Sequence, residues 1–375
     1  MKMLWFLQDV HNFLNQFLPS PSALFLRYRF SPADLADLSP KRHIKAKSDK
    51  ELSTTESAVE TADLSILGTF DVLSYNINDA ASSKPDRVRL ILRAIFSSGA
   101  NIILLQETNT DWEKLLLEDA IALQYNHRYF HHPFKGDKHR PPDRAAGGIA
   151  ILSLYPLKDI SVIDLTQDVS GSVFPALICK AMLPLSVIIQ NDDFVNDFPN
   201  LSNESNVPIG IANVHLRPPL NLDGSAWFDT ARKTEPIRLA EVKDLVRRTM
   251  PIDSSLDHSL NLQPELDIIA GDFNEDNAGA ALSYLSSLRY VDALQQFVPR
   301  RKETHTWPFL RNTWTLKKRL DHILWRNDVL SIVSKDGTTR KLFRLKCLGC
   351  GVLTGYEAGA SDHQPVLSRF GIVRD

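Results

Sequence analysis

Acidic and amide side chains gather at the ends of apolar runs in this chain, and LDIIAGDFNED is the clearest case. Leu266, Ile268, Ile269, Ala270 and Gly271 read as a buried strand, and Asp272, Asn274, Glu275 and Asp276 follow at once. Such a strand holds a carboxylate rigidly at the rim of a sheet, where a reacting group must be kept in place. The pattern recurs: Asn76 ends DVLSYN, Glu107 follows IILLQ, and His215 follows IGIANV. Asp321 opens DHILW after Arg319, and Ser361-Asp362-His363 opens the last apolar run, QPVLSRF. If these ends converge, carboxylates and amides surround a hard cation with two histidines beside it. Oxygen donors of that kind suit Mg²⁺ or Mn²⁺, whereas zinc favours His and Cys.

The elements that carry these residues alternate from about Phe70 onward. DVLSYN, NIILLQ, GGIAILS, IGIANV, LDIIAG, LDHILW and QPVLSRF read as strands. Ser83-Lys84-Pro85 opens a helix with Val88, Ile91, Leu92, Ile95 and Phe96 on its apolar face, ending at Gly99. A second amphipathic helix is predicted over 235–249, with Leu239, Val242, Leu245 and Val246 inward. Four of the polar sites end their strands and two begin theirs. A common rim therefore requires antiparallel as well as parallel neighbours, and so mixed sheets.

Asn76, the QET around Glu107, NVHL, GDFN, RLDHI and SDHQPV occur in the order seen in the endonuclease/exonuclease/phosphatase superfamily. The chain resembles that group over roughly residues 68–372. The resemblance implies a four-layer αββα sandwich of two mixed β-sheets flanked by helices, spanning 66–375, and an Mg²⁺-dependent phosphoesterase (Mn²⁺ being an alternative). By similarity Glu107 is the principal metal ligand, Asn76 supports metal and phosphate, and Asp362 is a further metal-side ligand. His363 pairs with Asp321, Asp272 and Asn274 activate or orient the attacking water, and His215 contacts the phosphate. Either Asp272 or His363 can be drawn as the base. Arg217 could grip a phosphate oxygen. His322 is predicted to point away from Asp321, since successive strand residues face opposite sides.

The substrate is less legible. Trp307 and Trp314 lie where relatives place substrate-facing residues, and could stack on a base or belong to the core. Arg311, Lys317, Lys318 and Arg319 add a basic stretch and residues 127–144 a second; together they could make a local groove for an anionic substrate, a solvated loop being the competing reading. A nuclease-type phosphodiesterase acting on nucleic acid is the first reading. A phospholipid or phosphoinositide phosphoesterase and a non-catalytic binding relative are the others.

The whole chain of 375 residues carries 43% hydrophobic and 23% charged residues and a net charge of −2. Those values fit a globular protein and argue against one that coats nucleic acid electrostatically. Residues 1–65 read as an extension: an amphipathic segment over 3–18, suited to docking or to a membrane surface, and a polar linker over 39–62. A monomer is expected. Cys179, Cys347 and Cys350 cannot form a disulfide framework, which points to a reducing compartment such as cytoplasm or nucleus. The sequons at Asn200 and Asn203 would matter in a secreted chain, so the compartment stays open.

Overall fold

A computed structural model describes residues 66–374 except 120, 134–146, 166–173, 186–204, 220–227, 251–264, 299–304, 312–313, 328, 334–338 and 355–357. The predicted extension 1–65, both sequons and most of the second basic stretch lie outside the described residues.

One mixed sheet contains β1 (Ile66–Asn76), β2 (Ile102–Thr108), β3 (His127–His131), β4 (Gly148–Ser153), β14 (Thr339–Val352) and β15 (Val366–Arg374). Its order is β3-β4-β2-β1-β15-β14. The other contains β5 (Leu157–Asp164), β6 (Pro175–Pro184), β7 (Asn206–His215), β8 (Ile268–Asp272), β9 (Val291–Asp292) and β12 (Asp321–Trp325). Its order is β5-β6-β7-β8-β12-β9. Strand β13 (Val329–Val333) pairs with β14 and, among the described residues, meets the start of β7 at Val333↔Asn206, bridging the sheets. A separate hairpin, β10 (Trp307–Arg311) and β11 (Trp314–Lys318), stands at the rim. The start of the basic stretch 127–144 is strand β3.

Three apolar clusters define four layers. Phe70, Val72, Ile102 and Leu104 from one sheet pack with Ile209, Ile211, Ile268 and Ile323 from the other. Leu73, Tyr75, Ile103 and Leu105 face outward onto helices α1 (Pro85–Ser97) and α2 (Thr110–Glu118). Ala212, Val214 and Ile269 face α3 (Phe228–Arg248) and α4 (Ala280–Ser287) on the opposite side. A short helix α5 (Ala293–Phe297) follows β9. The alternation of apolar residues along β1, β2, β7 and β8 thus feeds two cores at once, the signature of a sheet covered on both faces.

Local chemistry sets the helix ends. Pro85 starts α1, where its missing N–H costs nothing, and Asn109 caps α2 by accepting from Trp112 N at 2.8 Å. Helix α3 starts earlier than predicted, despite Pro236, and Leu239 is half-buried while Val242, Leu245 and Val246 are core.

Pairing brings the strand ends to one rim. Strands β7 and β8 run parallel with His215 opposite Asp272, and β12 runs antiparallel to β8 with Asp321 opposite Asp272. Strand β15 is likewise antiparallel to β1, as the mixed-sheet reading requires. The β7–β8 approach is close at Gly271 (φ +148°), where a Cβ would stand 1.8 Å from Val214 O. Above the apolar core the packing turns polar: Gln106 Nε2 donates to Asn213 Oδ1 at 2.7 Å, and Asn213 Nδ2 donates to the carbonyls of Leu105 and Ala150.

Candidate active site

Along β8 the residues facing the other sheet are Ile268, Ala270 and then Asp272, which is 1% exposed. Its Oδ1 accepts from the backbone N–H of Asn274 at 2.8 Å, and its Oδ2 accepts from Asn76 Nδ2 at 3.1 Å. The same Oδ2 lies 3.6 Å from His215 Nε2 and 3.6 Å from His363 Nε2. Asn274 takes a left-handed backbone (φ 51°), which Asn tolerates better than most residues, and donates its amide to Leu216 O at 3.0 Å.

His363 Nδ1 bonds Asp321 Oδ2 at 2.8 Å, with both side chains buried. Burial pulls the imidazole pKa down, but the Asp321 and Asp272 carboxylates more than reverse this and hold it well above the usual histidine range. Thr306 secures the pair: its Oγ1 accepts from Leu320 N at 2.9 Å and Asp321 N at 3.1 Å, and its C=O accepts from Gln364 N at 2.7 Å. Asp321 Oδ1 is buried without a well-formed hydrogen bond, and the Thr306 hydroxyl is the side-chain donor beside that carboxyl. Because Thr306 immediately precedes β10, the root of the hairpin is fastened to Asp321 and to Gln364, the residue after His363.

Glu107 reaches this group by an irregular route. Ile102 and Leu104 face the inter-sheet core, as does Gln106 through Asn213, so regular alternation would send Glu107 to the helical side. A register shift against β4 between Gln106 and Thr108, with Glu107 at φ 57°, turns it back instead. Its Oε1 then accepts from Asn76 Nδ2 at 2.9 Å and its Oε2 from Asp79 N at 3.4 Å. A non-glycine residue held there costs about 1–3 kcal/mol. Burial, and then the nearby Asp362 charge, push the Glu107 carboxyl up to about 8. Asp362 accepts from Asn78 Nδ2 at 2.7 Å. Burial would raise its pKa, but the His363 charge and that hydrogen bond hold it below the usual range. Ser361 Oγ donates to Asn76 O at 2.8 Å, tying this loop to the end of β1.

The predicted residues Asn76, Glu107, His215, Asp272, Asn274, Asp321 and His363 are thus joined by direct contacts, and Asp362 stands at their edge. Arg217 is buried just beyond His215, its backbone N–H donating to Glu241 Oε2 at 2.9 Å. Trp307 is half-buried at the start of β10; Trp314 lies across from Arg311 in the hairpin register, its side chain outside the described residues. His322 points away from Asp321 as predicted, onto Asp292 Oδ2 at 2.8 Å and the carbonyls of Glu275 and Arg319. Sequence reasoning missed Asn78 and Thr306, whose partners lie far away in the chain; only the repeated Asn of NIND and the Thr before Trp307 hint at them.

Asp272, Asp321 and His363 offer three ligand atoms within 4.8 Å of one another. However, the His363 and Asp321 atoms nearest each other are already spent on a mutual hydrogen bond. The oxygens of Glu107 and Asp362, with Asn76, are the better match for a hard cation: they are oxygen donors not spent on a histidine, and the Asp362 charge raises the proton affinity of the Glu107 carboxylate beside it.

Two mixed six-stranded sheets between helix layers, with this group at the rim, define a DNase I-like fold. The chain belongs to the endonuclease/exonuclease/phosphatase family, whose model matches residues 69–363, and that membership supports a phosphoester hydrolase. The catalytic domain of human Nocturnin, solved with a bound sulfate, shares the fold at 18% identity and a TM-score of 0.51, covering 83% of this chain and 97% of that one. A humanized D. rerio TDP2 aligns at 15% identity and TM-score 0.48, over 80% of this chain and 98% of that one. A conserved protein of unknown function from Enterococcus faecalis aligns at 14% identity and TM-score 0.49, with coverages of 80% and 98%. Among curated proteins none matches the chain.

Proposed function

We propose that this chain is a divalent-metal-dependent phosphodiesterase of the nuclease type, hydrolysing its substrate by in-line attack of water. The observation that carries the reading is the convergence of Asn76, His215 and His363 on a single oxygen of Asp272, between Glu107 and the His363–Asp321 dyad. Glu107, Asp362 and Asn76 would hold Mg²⁺ or Mn²⁺, and the bound ion would neutralise charge on the phosphate and the departing oxygen.

His363, held as an imidazolium by Asp321, is suited to grip the phosphoryl oxygens and not to take a proton. Asp272, oriented by the Asn274 N–H and the Asn76 amide, is then the group that accepts the proton of the attacking water. His215, 3.6 Å from the same Asp272 oxygen, would contact the phosphate, with Arg217 two residues beyond it in the chain. Positioning and charge stabilisation share the work, and no covalent enzyme intermediate is required. The hairpin that begins at Trp307 is fastened to the dyad through Thr306, and its sequence offers Trp307, Trp314, Arg311 and Lys318 to an extended anionic ligand. This supports a nucleic acid as the substrate.

The test is a panel of single-stranded DNA, double-stranded DNA, RNA, sphingomyelin and phosphoinositides, each with Mg²⁺ and with chelator. Chelator-sensitive cleavage of a nucleic acid that disappears in Glu107→Gln is expected. Cleavage of lipid substrates alone, or none at all, overturns the nuclease reading.

A further inference from the structure

Helix α3 turns a polar stripe inward. Thr234, Arg238 and Glu241 follow one another at helical spacing and are 4%, 4% and 1% exposed, beside the apolar Val242 and Leu245. Burying a guanidinium and a carboxylate is costly unless both are fully engaged, so their partners reveal what the stripe holds. Arg238 Nε donates to Glu275 Oε2 at 3.2 Å, while its Nη1 donates to Thr234 Oγ1 at 2.8 Å and to the Arg217 carbonyl at 3.2 Å. Glu241 Oε2 accepts from the Arg217 N–H at 2.9 Å. Glu275, in turn, accepts from Leu282 N at 2.9 Å at the start of α4.

These contacts account for the backbone of one short loop. The N–H of Leu216 donates to Asp272 O at 2.9 Å and its C=O accepts from Asn274 Nδ2 at 3.0 Å. The N–H and C=O of Arg217 go to Glu241 and Arg238. All four backbone groups of this dipeptide are therefore fixed, two by the Asp272–Asn274 turn and two by α3. Arg238 also touches the far end of that turn through Glu275. We propose that the Thr234–Arg238–Glu241 stripe of α3 is a positioning device that sets the His215–Arg217 loop against the Asp272–Glu275 turn, making Arg238 a determinant of phosphate placement. The inference rests on the phosphodiesterase reading of the site. Arg238 reaches the chemistry only through its neighbours, so its loss acts through misplacement, for which shifts of about 1 Å can cost about a hundredfold.

The experiment is a mutant cycle between Arg238→Met and the double variant His215→Ala/Arg217→Ala, which keeps the loop backbone and removes both of its phosphate-side groups, measured as kcat and KM on a single-stranded DNA oligonucleotide with Mg²⁺, well below the melting temperature of each variant. Arg238→Met is expected to lower kcat/KM about a hundredfold alone and less than about twofold in the His215→Ala/Arg217→Ala background. Arg238→Lys should recover part of the loss, because an ammonium cannot reproduce the fork that spans Glu275 and the Arg217 carbonyl. If Arg238→Met does not fold, Thr234→Val removes only the hydroxyl beside Arg238 Nη1, and the same cycle with that variant decides the matter. A kinetic loss that persists in full in the His215→Ala/Arg217→Ala background, or a lowered melting temperature with unchanged kinetics, overturns the proposal. A wild type that does not cut the oligonucleotide refutes the functional reading instead, whereas an inactive Glu107→Gln beside a fully active Arg238→Met refutes only this one.

Discussion

Replacing Asp321 by Asn keeps the shape of the dyad and removes its charge. Asp321 Oδ2 lies 2.8 Å from His363 Nδ1 with both groups buried. Two unit charges about 4 Å apart at an effective dielectric of about 20 interact by about 4 kcal/mol. That is about a thousandfold in rate if the imidazolium is stabilised to the same extent where phosphoryl charge develops. The sign of the pH effect is fixed by the same contact. Burial lowers the His363 pKa and Asp321 is the main group opposing it, so the variant's imidazole must lose its proton at a lower pH. Wild-type activity should therefore persist into alkaline solution, whereas Asp321→Asn should be about a thousandfold slower at neutral pH and should recover as the pH falls. The assay is a kcat profile from pH 5 to 10 on a saturating oligonucleotide with Mg²⁺, with circular dichroism to confirm folding. A variant with wild-type kcat, or with a loss that does not depend on pH, would falsify the assignment of His363 as a charged phosphate-side group.

The metal-free protein should take up Mg²⁺ with release of a proton below about pH 8, where the Glu107 carboxyl is still protonated, so affinity should climb as the pH rises towards that value. By the same linkage this raised carboxyl favours the metal-free fold least at high pH: its contribution declines as the pH passes from the unfolded value of 4.5 to about 8. Calorimetry in two buffers of different ionisation enthalpy counts the proton, and a count of zero at pH 7 would contradict the prediction. Gly271→Ala should fail to fold or lose more than about 3 kcal/mol, because the new methyl meets Val214 O at 1.8 Å; an unchanged urea midpoint would refute it. Thr306→Val should cost about 1–3 kcal/mol for each backbone N–H it strands, and Thr306→Ser should restore most of that, as read from denaturation curves.

Much of the architecture was legible because apolar alternation reports buried strands, and polar residues at their ends had one rim to share. The antiparallel placement of β12 and β15 followed from Asp321 and His363 standing at strand beginnings. The turn of His322 away from Asp321 followed from the period of two alone. Glu107 was legible by motif but not by geometry: alternation sends it to the wrong face, and only a left-handed residue at a register shift brings it back. The α3 stripe escaped for another reason. Arg238 and Glu241 are not among the apolar residues that mark the inward face of the helix predicted over 235–249, and Thr234 precedes it; only the folded loop, some twenty residues earlier in the chain, gives them partners. Asn78 with Asp362, and Thr306 with Gln364, are contacts between distant segments that no local pattern encodes.

The Gln106–Asn213 contact has a mechanical meaning. Apolar burial is nondirectional, so two sheets held together by Ile, Leu and Val alone resist separation far better than they resist shear. The site is divided along that slip plane: Asn76, Glu107 and His363 ride on one sheet, and His215, Asp272 and Asp321 on the other. A directional hydrogen bond of 2.7 Å between the sheets, with the Asn213 amide latched to Leu105 and Ala150 of the opposite sheet, acts as a dowel through the sandwich. It holds Asn76 and Glu107 in register with His215, Asp272 and Asp321 across that plane.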